Sequence, residues 1–164
     1  MPPPIPVELY PYDLKWAQNA VLESERLAAA LDKTLITVHH IGSTAIPGIR
    51  AKPILDLLPI VTSLPELDDA RALSRRYCNL DDPLTGLRKI QLHFYERNSP
   101  EIARHLAFRD YLRSRPDVAR EYDAEKGRCR ELHPLDSYAY TDCKSAWIRR
   151  VEAEALSKQS TKPL

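Results

Sequence analysis

One nearly continuous apolar run constrains the fold more than any other feature. Residues 54–61 read ILDLLPIV, which fits a β-strand that is buried on both faces. Pro59 cannot donate a ladder hydrogen bond, so we expect it at an edge position or in a strand that ends early. The β-branched run 35–41, LITVHHI, predicts a strand before it, and the alternation in 90–95 predicts a third strand.

Helical spacing of apolar residues surrounds these strands. It predicts a helix over 14–31 with Asp13 as its N-cap, and a short helix from Pro65 to Tyr77. Residues 79–86 are expected to form a loop. Pro116 and Pro134 divide the rest into three predicted helices, near 101–113, 117–131 and 138–157. The order of elements predicts an α+β fold, a small mixed β-sheet with packed helices.

Length and charge limit the class of protein. The 164 residues fit a single domain, predicted over 7–157, with a flexible proline-rich start at 1–6 and a flexible tail at 158–164. The 24 basic residues nearly balance 23 acidic ones, which argues against an extended nucleic-acid surface. No apolar run approaches a membrane span, and no signal peptide is visible, so we expect a cytoplasmic protein without a membrane partner.

The three cysteines, Cys78, Cys129 and Cys143, are odd in number and contain no CxxC pair. That pattern disfavours both a disulfide framework and a cysteine-rich zinc site. We therefore expect three reduced thiols.

The segment from His39 to Leu58, HHIGSTAIPGIRAKPILDLL, holds the candidate chemistry. Gly42 allows a sharp turn after the first strand, and the backbone N–H groups and the Ser43 hydroxyl at such a turn can bind a phosphate. Lys52 adds a cation. Asp56 stands among apolar residues, where a carboxylate needs a metal ion, a lysine, a substrate or a backbone group as its partner.

The histidines offer a second cluster. His39 and His40 are consecutive on a strand and point to opposite faces. His40, Asp56 and His93 are expected to converge at one end of the sheet, as a metal site or as a His–Asp acid–base pair. The alternative is that these histidines make only local hydrogen bonds. His105 and His133 are predicted to be surface residues.

Several separated motifs resemble the GrpB family, also called UPF0157. GST, AIPG and AKPILDL follow one another from Gly42 to Leu57, and Tyr12-Asp13 with Trp16 resembles the family's start. Residues 105–126, HLAFRDYLRSRPDVAREYDAEK, resemble its middle. Its C-terminal pattern is matched by Tyr140, Lys144 and Ile148. The resemblance covers roughly residues 7–156.

The resemblance implies a nucleotidyltransferase-like fold, the minimal core of the DNA polymerase β superfamily, with added C-terminal helices. Gly42-Ser43 would hold the phosphates of a nucleotide or other small-molecule substrate. Asp56 would be the first metal-binding carboxylate for Mg²⁺ or Mn²⁺, with His93 as a further ligand. The residues expected to bind an anionic substrate are Gly42, Ser43, Lys52, Arg88, Arg109 and Lys144.

The chain also departs from the family pattern. Leu58 occupies the position of the second carboxylate, for which Glu96 or His93 would have to substitute. His39 replaces a Glu and Gln91 replaces a His. The segment between Tyr77 and Arg88 is shortened, and a Gly- and Arg-rich hairpin is lost with it.

Three functions are therefore compatible with the sequence. The first is a metal-dependent nucleotidyltransferase that acts on a small acceptor. The second is a binding or accessory module, since GrpB-like domains occur fused to dephospho-CoA kinase. The third is a repurposed pocket in which His40, Asp56 and His93 perform acid–base catalysis on a small metabolite.

Overall fold

The computed structural model describes residues 3–65 and 77–160. The elements within these ranges are α1 Leu14–Leu31, β1 Leu35–Ile41, β2 Leu55–Val61, β3 Tyr77–Asp81, β4 Arg88–His93, β5 Tyr95–Glu96, α2 Pro100–Ser114, α3 Pro116–Leu132 and α4 Ser137–Ser160. A short 3₁₀ turn, Ser43–Ala45, follows β1. The mixed sheet with packed helices confirms the predicted α+β class. Most of the predicted short helix, and residues 161–164 of the predicted tail, lie outside the described residues.

The helix boundaries follow local chemistry. Asp13 caps α1, and its carboxylate accepts a hydrogen bond from the Lys15 N–H at 2.9 Å. Pro100 and Pro116 open α2 and α3, where the missing N–H costs nothing because a first-turn donor has no helical acceptor. Pro134 lies between α3 and α4. The three C-terminal helices therefore begin and end close to their predicted positions.

The sheet has the strand order β1-β2-β4-β3. β5 follows β4 in the chain and also pairs with β2. β1 and β3 run antiparallel to their neighbours, whereas β4 and β5 run parallel to β2. The register sets Asp56 between Ile41 of β1 and Gln91 of β4. This places the start of β2 at the end of the sheet where β1 turns away.

Pro59 does not lie at an edge, and β2 does not end there, so both expectations for this residue are wrong. β2 pairs with β4 through Leu55–Leu57 and with β5 through Ile60 and Val61. Pro59 lies between these two stretches, where neither strand is paired with it. A central strand tolerates the proline because its missing N–H coincides with the interruption in the ladder.

Helices cover both faces of the sheet. α1 packs Trp16 and Ala20 against the β2 and β4 side chains that include Leu57 and Leu92. A second core lies among α2, α3 and α4 and includes Ile46 and Ile49 from the segment that follows the 3₁₀ turn. Leu57 on one face of β2 and Leu58 on the other are both fully buried, as the apolar composition of this strand predicts. None of the described helices is long and apolar enough to cross a membrane.

Two predictions about the second half of the chain need correction. Part of the predicted loop 79–86 is the end of β3, which pairs antiparallel with β4. Cys129 and Cys143 form a disulfide between α3 and α4, so they are not the reduced thiols we expected. The turn after α3 sets the two helices side by side and brings these Cα atoms to 5.8 Å, a separation that a disulfide spans.

Candidate functional site

The turn after β1 packs directly against Asp56. Gly42 adopts φ +72°, and a Cβ atom at this position would lie 2.5 Å from Asp56 Oδ2. The 3₁₀ turn closes when the Ala45 N–H donates to the Gly42 carbonyl at 3.1 Å. Gly42 therefore serves the site through close approach to a carboxylate as well as through its backbone angle.

A cavity of about 360 Å³ lies beside this turn, between β2, β4, α3 and α4. Ser43, Lys52, Asp56, Arg88 and Lys144 all line it, although they come from four separate parts of the sequence. The structure thus brings five of the predicted site residues into one cavity. Ile5 also lines the cavity and donates its N–H to Ser137 Oγ at 3.2 Å. The sequence predicted no contact of this kind for residues 1–6.

Positive side chains dominate the walls of this cavity. Lys52, Arg88, Lys126 and Lys144 line it, and Asp56 is the one carboxylate among its described lining residues. We call it the cation-lined cavity. Burial lowers the pKa of Lys52, and Lys144 and Arg88 lower it further, while Asp56 opposes them. Mutual repulsion among these cations favours an anionic occupant.

Lys126 was not predicted from the sequence. Its side chain is 1% exposed, its ammonium donates to the Arg50 carbonyl, and Nζ lies 4.9 Å from the centre of the Tyr122 ring. Burial is the main reason that its pKa falls to about 7. The spacing of Val118, Tyr122, Lys126 and Cys129 was the available signal, since it places the lysine on the apolar stripe of α3.

Asp56 and His93 form a close pair. Asp56 Oδ1 lies 3.0 Å from His93 Nε2. The β2–β4 register explains the contact, because Asp56 is opposite Gln91 and His93 is two residues further along the same face. This pair realises the predicted approach of His93 to Asp56. A histidine hydrogen-bonded to a carboxylate is an arrangement that can pass a proton to or from a bound ligand.

His105 lies next to this pair and is half-buried rather than fully exposed, which the prediction of a surface residue did not anticipate. Its ring centre is 5.8 Å from that of His93, and its Nε2 is 3.3 Å from Arg104 Nη2. The guanidinium can only donate, so Nε2 is the acceptor and the ring proton resides on Nδ1. Burial, Arg104 and His93 together lower the pKa of His105 to about 4. His133 ends α3 and is partly exposed.

His40 does not join Asp56 and His93. The register pairs His40 with Leu57, whose side chain belongs to the α1 face, so strand alternation turns His40 away from the Asp56 face. His40 Nε2 instead lies 2.8 Å from Thr44 Oγ1, and Thr44 lines the cavity. Burial and Arg113 lower the pKa of His40 to about 4, while Asp56 opposes them. His40 therefore positions the turn.

Arg109 also supports the turn and is absent from the described cavity lining. Its Nη1 donates to the His40 carbonyl at 3.1 Å, and its Nε donates to Asp110 at 2.7 Å. The neighbouring Arg113 donates from Nε to the Ala45 carbonyl at 2.7 Å. This geometry favours a role for Arg109 in holding the turn, rather than the predicted direct contact with substrate.

The donor atoms at Asp56 do not by themselves build a Mg²⁺ or Mn²⁺ site. Leu58 is fully buried, and Glu96 accepts from the Leu64 N–H near the far end of β2. Among the described residues, the group with metal-like spacing is Glu125, Cys129 and Cys143, and its cysteines are joined in the disulfide. Hard divalent ions take several oxygen ligands. Asp56 supplies one carboxylate, and the other charged residues that line this cavity are cations. Metal dependence stays a prediction.

Because His40 and His105 have low pKa values in the folded protein, we expect the free energy of unfolding to decrease in acid. His40 and His105 have pKa values near 4 in the folded protein and near 6.5 when unfolded. The unfolded chain therefore binds more protons between these values, so stability is fully present above pH 6.5 and falls as the pH drops toward 4. Urea unfolding at pH 7.5, 6.0 and 5.0 measures this slope. His40→Gln and His105→Gln should each flatten it, whereas an unchanged slope in both would contradict the assignment.

Comparison with known proteins agrees with the sequence motifs. The family model described as GrpB protein matches residues 6–154. The UPF0157 protein YqkA of Bacillus subtilis is 36% identical over 91% of this chain, and the match spans 47% of YqkA, about half of that relative's length. A dephospho-CoA kinase of Mycolicibacterium paratuberculosis is 28% identical over 88% of this chain and 44% of its own length.

A solved structure shares the fold. The crystal structure of the conserved protein GrpB from Enterococcus faecalis superposes with a TM-score of 0.83 and 32% identity, covering 93% of this chain and 99% of that one. The family match includes the Gly42 turn, the Asp56 strand and the helical residues that line the cavity. The chain therefore belongs to the GrpB family, also named UPF0157.

Proposed function

We propose that the cation-lined cavity binds a phosphorylated small molecule, with a nucleotide as the expected class, and that Asp56 and His93 act as its acid–base pair. The observation that carries the proposal is the convergence of Lys52, Arg88, Lys126 and Lys144 around one carboxylate. Lysine and arginine at such a site neutralise phosphate oxygens, and arginine does so in a bidentate manner. A volume of about 360 Å³ is within the range of small-molecule sites.

The turn adds neutral donors to these cations. Ser43 and Thr44 line the cavity at the 3₁₀ turn, and Thr44 is 1% exposed. Hydroxyl and backbone N–H groups at such a turn favour phosphate oxygens. Phosphates would therefore bind between the turn and the lysines, with the remainder of the ligand toward Tyr140, whose ring lies 5.1 Å from Lys144 Nζ and 5.8 Å from Lys52 Nζ.

Nucleotidyl transfer to a small acceptor is the reaction that this arrangement would serve with a nucleoside triphosphate. The acceptor hydroxyl oxygen would bond to the α-phosphorus while the bond to pyrophosphate breaks. Asp56 or His93 would take the hydroxyl proton, and the lysines would neutralise the departing pyrophosphate. Mg²⁺ or Mn²⁺ bound to the ligand's phosphates belongs to this proposal as a variable of the experiment.

A second candidate is a binding module without transfer chemistry. The buried Leu58 favours it, because the second carboxylate of a two-metal clamp has no place in the core. This candidate shares the phosphate-binding step and differs in turnover. Acid–base catalysis on a small metabolite without a nucleotide would retain Asp56 and His93 but would exclude His40, which faces the other side of the sheet.

Thermal melting with inorganic pyrophosphate and nucleoside triphosphates tests the proposal, with Mg²⁺, with Mn²⁺ and with chelator. A ligand at 100 times its Kd adds about 2.7 kcal/mol of stability and raises Tm. Lys52→Met or Lys144→Met should weaken binding about 10-fold or more, since each removes a charge-assisted contact.

Lys33→Met is the matched control, because Lys33 is an exposed lysine outside the cavity. No Tm shift with any phosphate would reject the proposed function. A shift that is independent of metal and of Asp56→Asn, without product formation, would favour the binding module over the transferase.

A further inference from the structure

Lys126 is the most deeply buried of the four cations that line the cavity, and the proposed function gives it no role distinct from the other three. It is 1% exposed, deeper than Lys52, yet it lines the cation-lined cavity. An ammonium has three donors. Among the described residues, the acceptor within hydrogen-bond distance is the Arg50 carbonyl, and the Tyr122 ring covers another side at 4.9 Å. A buried ammonium with so few partners retains donors for a ligand.

The nearby charges do not complete its neutralisation. Asp123, one turn earlier on α3, raises the pKa of Lys126, but its carboxylate accepts the Arg50 backbone N–H at 2.8 Å and the Arg50 Nε–H at 3.1 Å. No ion pair of Lys126 is found within 4.0 Å in the described part of the chain. From α4, Lys144 faces Lys126 with the same charge, and Tyr140 presents a phenol. Lys52, Asp56 and Arg88 line the same cavity.

The following inference rests on the proposed function. We propose that Lys126 Nζ contacts a phosphate oxygen of the bound ligand, and that this amine takes up a proton from solvent when the ligand binds. The bound anion would supply the negative charge that the empty cavity lacks around Nζ. Lys126 would thereby favour ligands that bring two or more negative charges, because Lys52, Arg88 and Lys144 already exceed Asp56 by two positive charges.

The direction of the proton transfer follows from the electrostatics. Burial, Lys144 and Arg50 lower the pKa of Lys126 to about 7 without ligand. A phosphate oxygen beside Nζ stabilises the charged form and raises that pKa. At pH 8 the free amine is mostly neutral and the bound one is charged, so binding takes up a proton. Affinity for an anion should accordingly fall as the pH rises above 7.

Titration calorimetry at pH 8.0 in two buffers with different ionisation enthalpies measures this uptake. The probes are inorganic sulfate, which remains a dianion over this range, and ATP. Wild type should take up close to one proton per probe bound, and its sulfate affinity should fall several-fold between pH 7 and pH 9. Lys126→Arg keeps a fixed charge, so both the uptake and the pH dependence should drop by most of their size.

Lys52 and Lys144 are present in both proteins, so the difference isolates Lys126. Lys126→Met, which matches the side chain's length without a charge, should bind sulfate at least 10-fold more weakly at pH 7. Far-UV circular dichroism and melting establish that each variant is folded, and Lys126→Gln replaces either one that is not. Equal proton uptake in wild type and in Lys126→Arg would overturn this inference while leaving the proposed function intact. If wild type binds neither probe, the proposed function itself fails, and this inference with it.

Discussion

Gly42→Ala should lower the free energy of unfolding by about 3 kcal/mol, the sum of backbone strain and a steric clash. Gly42 has φ +72° and ψ −173°, a region that only glycine adopts readily. The new methyl would lie 2.5 Å from Asp56 Oδ2 and 3.0 Å from Asp56 Cβ, so the carboxylate must move. We also expect the variant to lose its Tm shift with phosphate probes. Urea unfolding and probe melting measure the two effects.

Gly48→Ala is the matched control for this prediction. Gly48 has φ +83°, but a Cβ there would meet no atom within 4 Å. It should therefore show the strain without the clash, and probe binding should survive. If the two variants lose the same stability and retain the same binding, then the close approach of the turn to Asp56 is not needed for stability or for probe binding.

Reduction of the Cys129–Cys143 disulfide should cost about 3 kcal/mol of stability, as expected for closing a loop of about 15 residues. The two cysteines are separated by 14 positions and join α3 to α4, two walls of the cavity. Cys129 is fully buried with Val7 and Tyr140, so reduction also loosens the packing behind the lysines. Urea unfolding with and without dithiothreitol measures the loss.

Cys143→Ser provides the control for the disulfide. The variant should unfold like the reduced wild type, and dithiothreitol should have no further effect on it. Thiol labelling of the denatured, unreduced protein should find one reactive cysteine, Cys78. Labelling of three cysteines in protein purified without reductant would restore the original expectation of free thiols.

Much of the fold was readable from local patterns. The apolar run 54–61, the β-branched run 35–41 and the helices opened by Pro100 and Pro116 appear where their residues predict them. Local rules suffice there because proline, capping and side-chain periodicity act within a few residues. They failed at Pro59, where the break between β4 and β5 lies more than thirty residues away in the sequence.

In the candidate site, too, some features were predictable from the local sequence and others were not. The motif from Gly42 to Asp56 identified the turn, Lys52 and the carboxylate, because those residue types carry the chemistry themselves. The partners of these residues were a matter of register and packing. Only the pairing of Asp56 with Gln91 sets His93 beside the carboxylate, and the same alternation removes His40 from it.

The sequence by itself determined the family, most of the helices and strands, and the charged residues available to the cavity. Tertiary structure alone decided that His40 is kept apart from Asp56, that Lys126 lines the cavity, and that Cys129 pairs with Cys143. The physical reason is that burial and neighbouring charge are set by segments distant in the chain. The same lysine is an ordinary surface cation on one face of α3 and, on the face it occupies, a buried amine whose charge depends on what binds beside it.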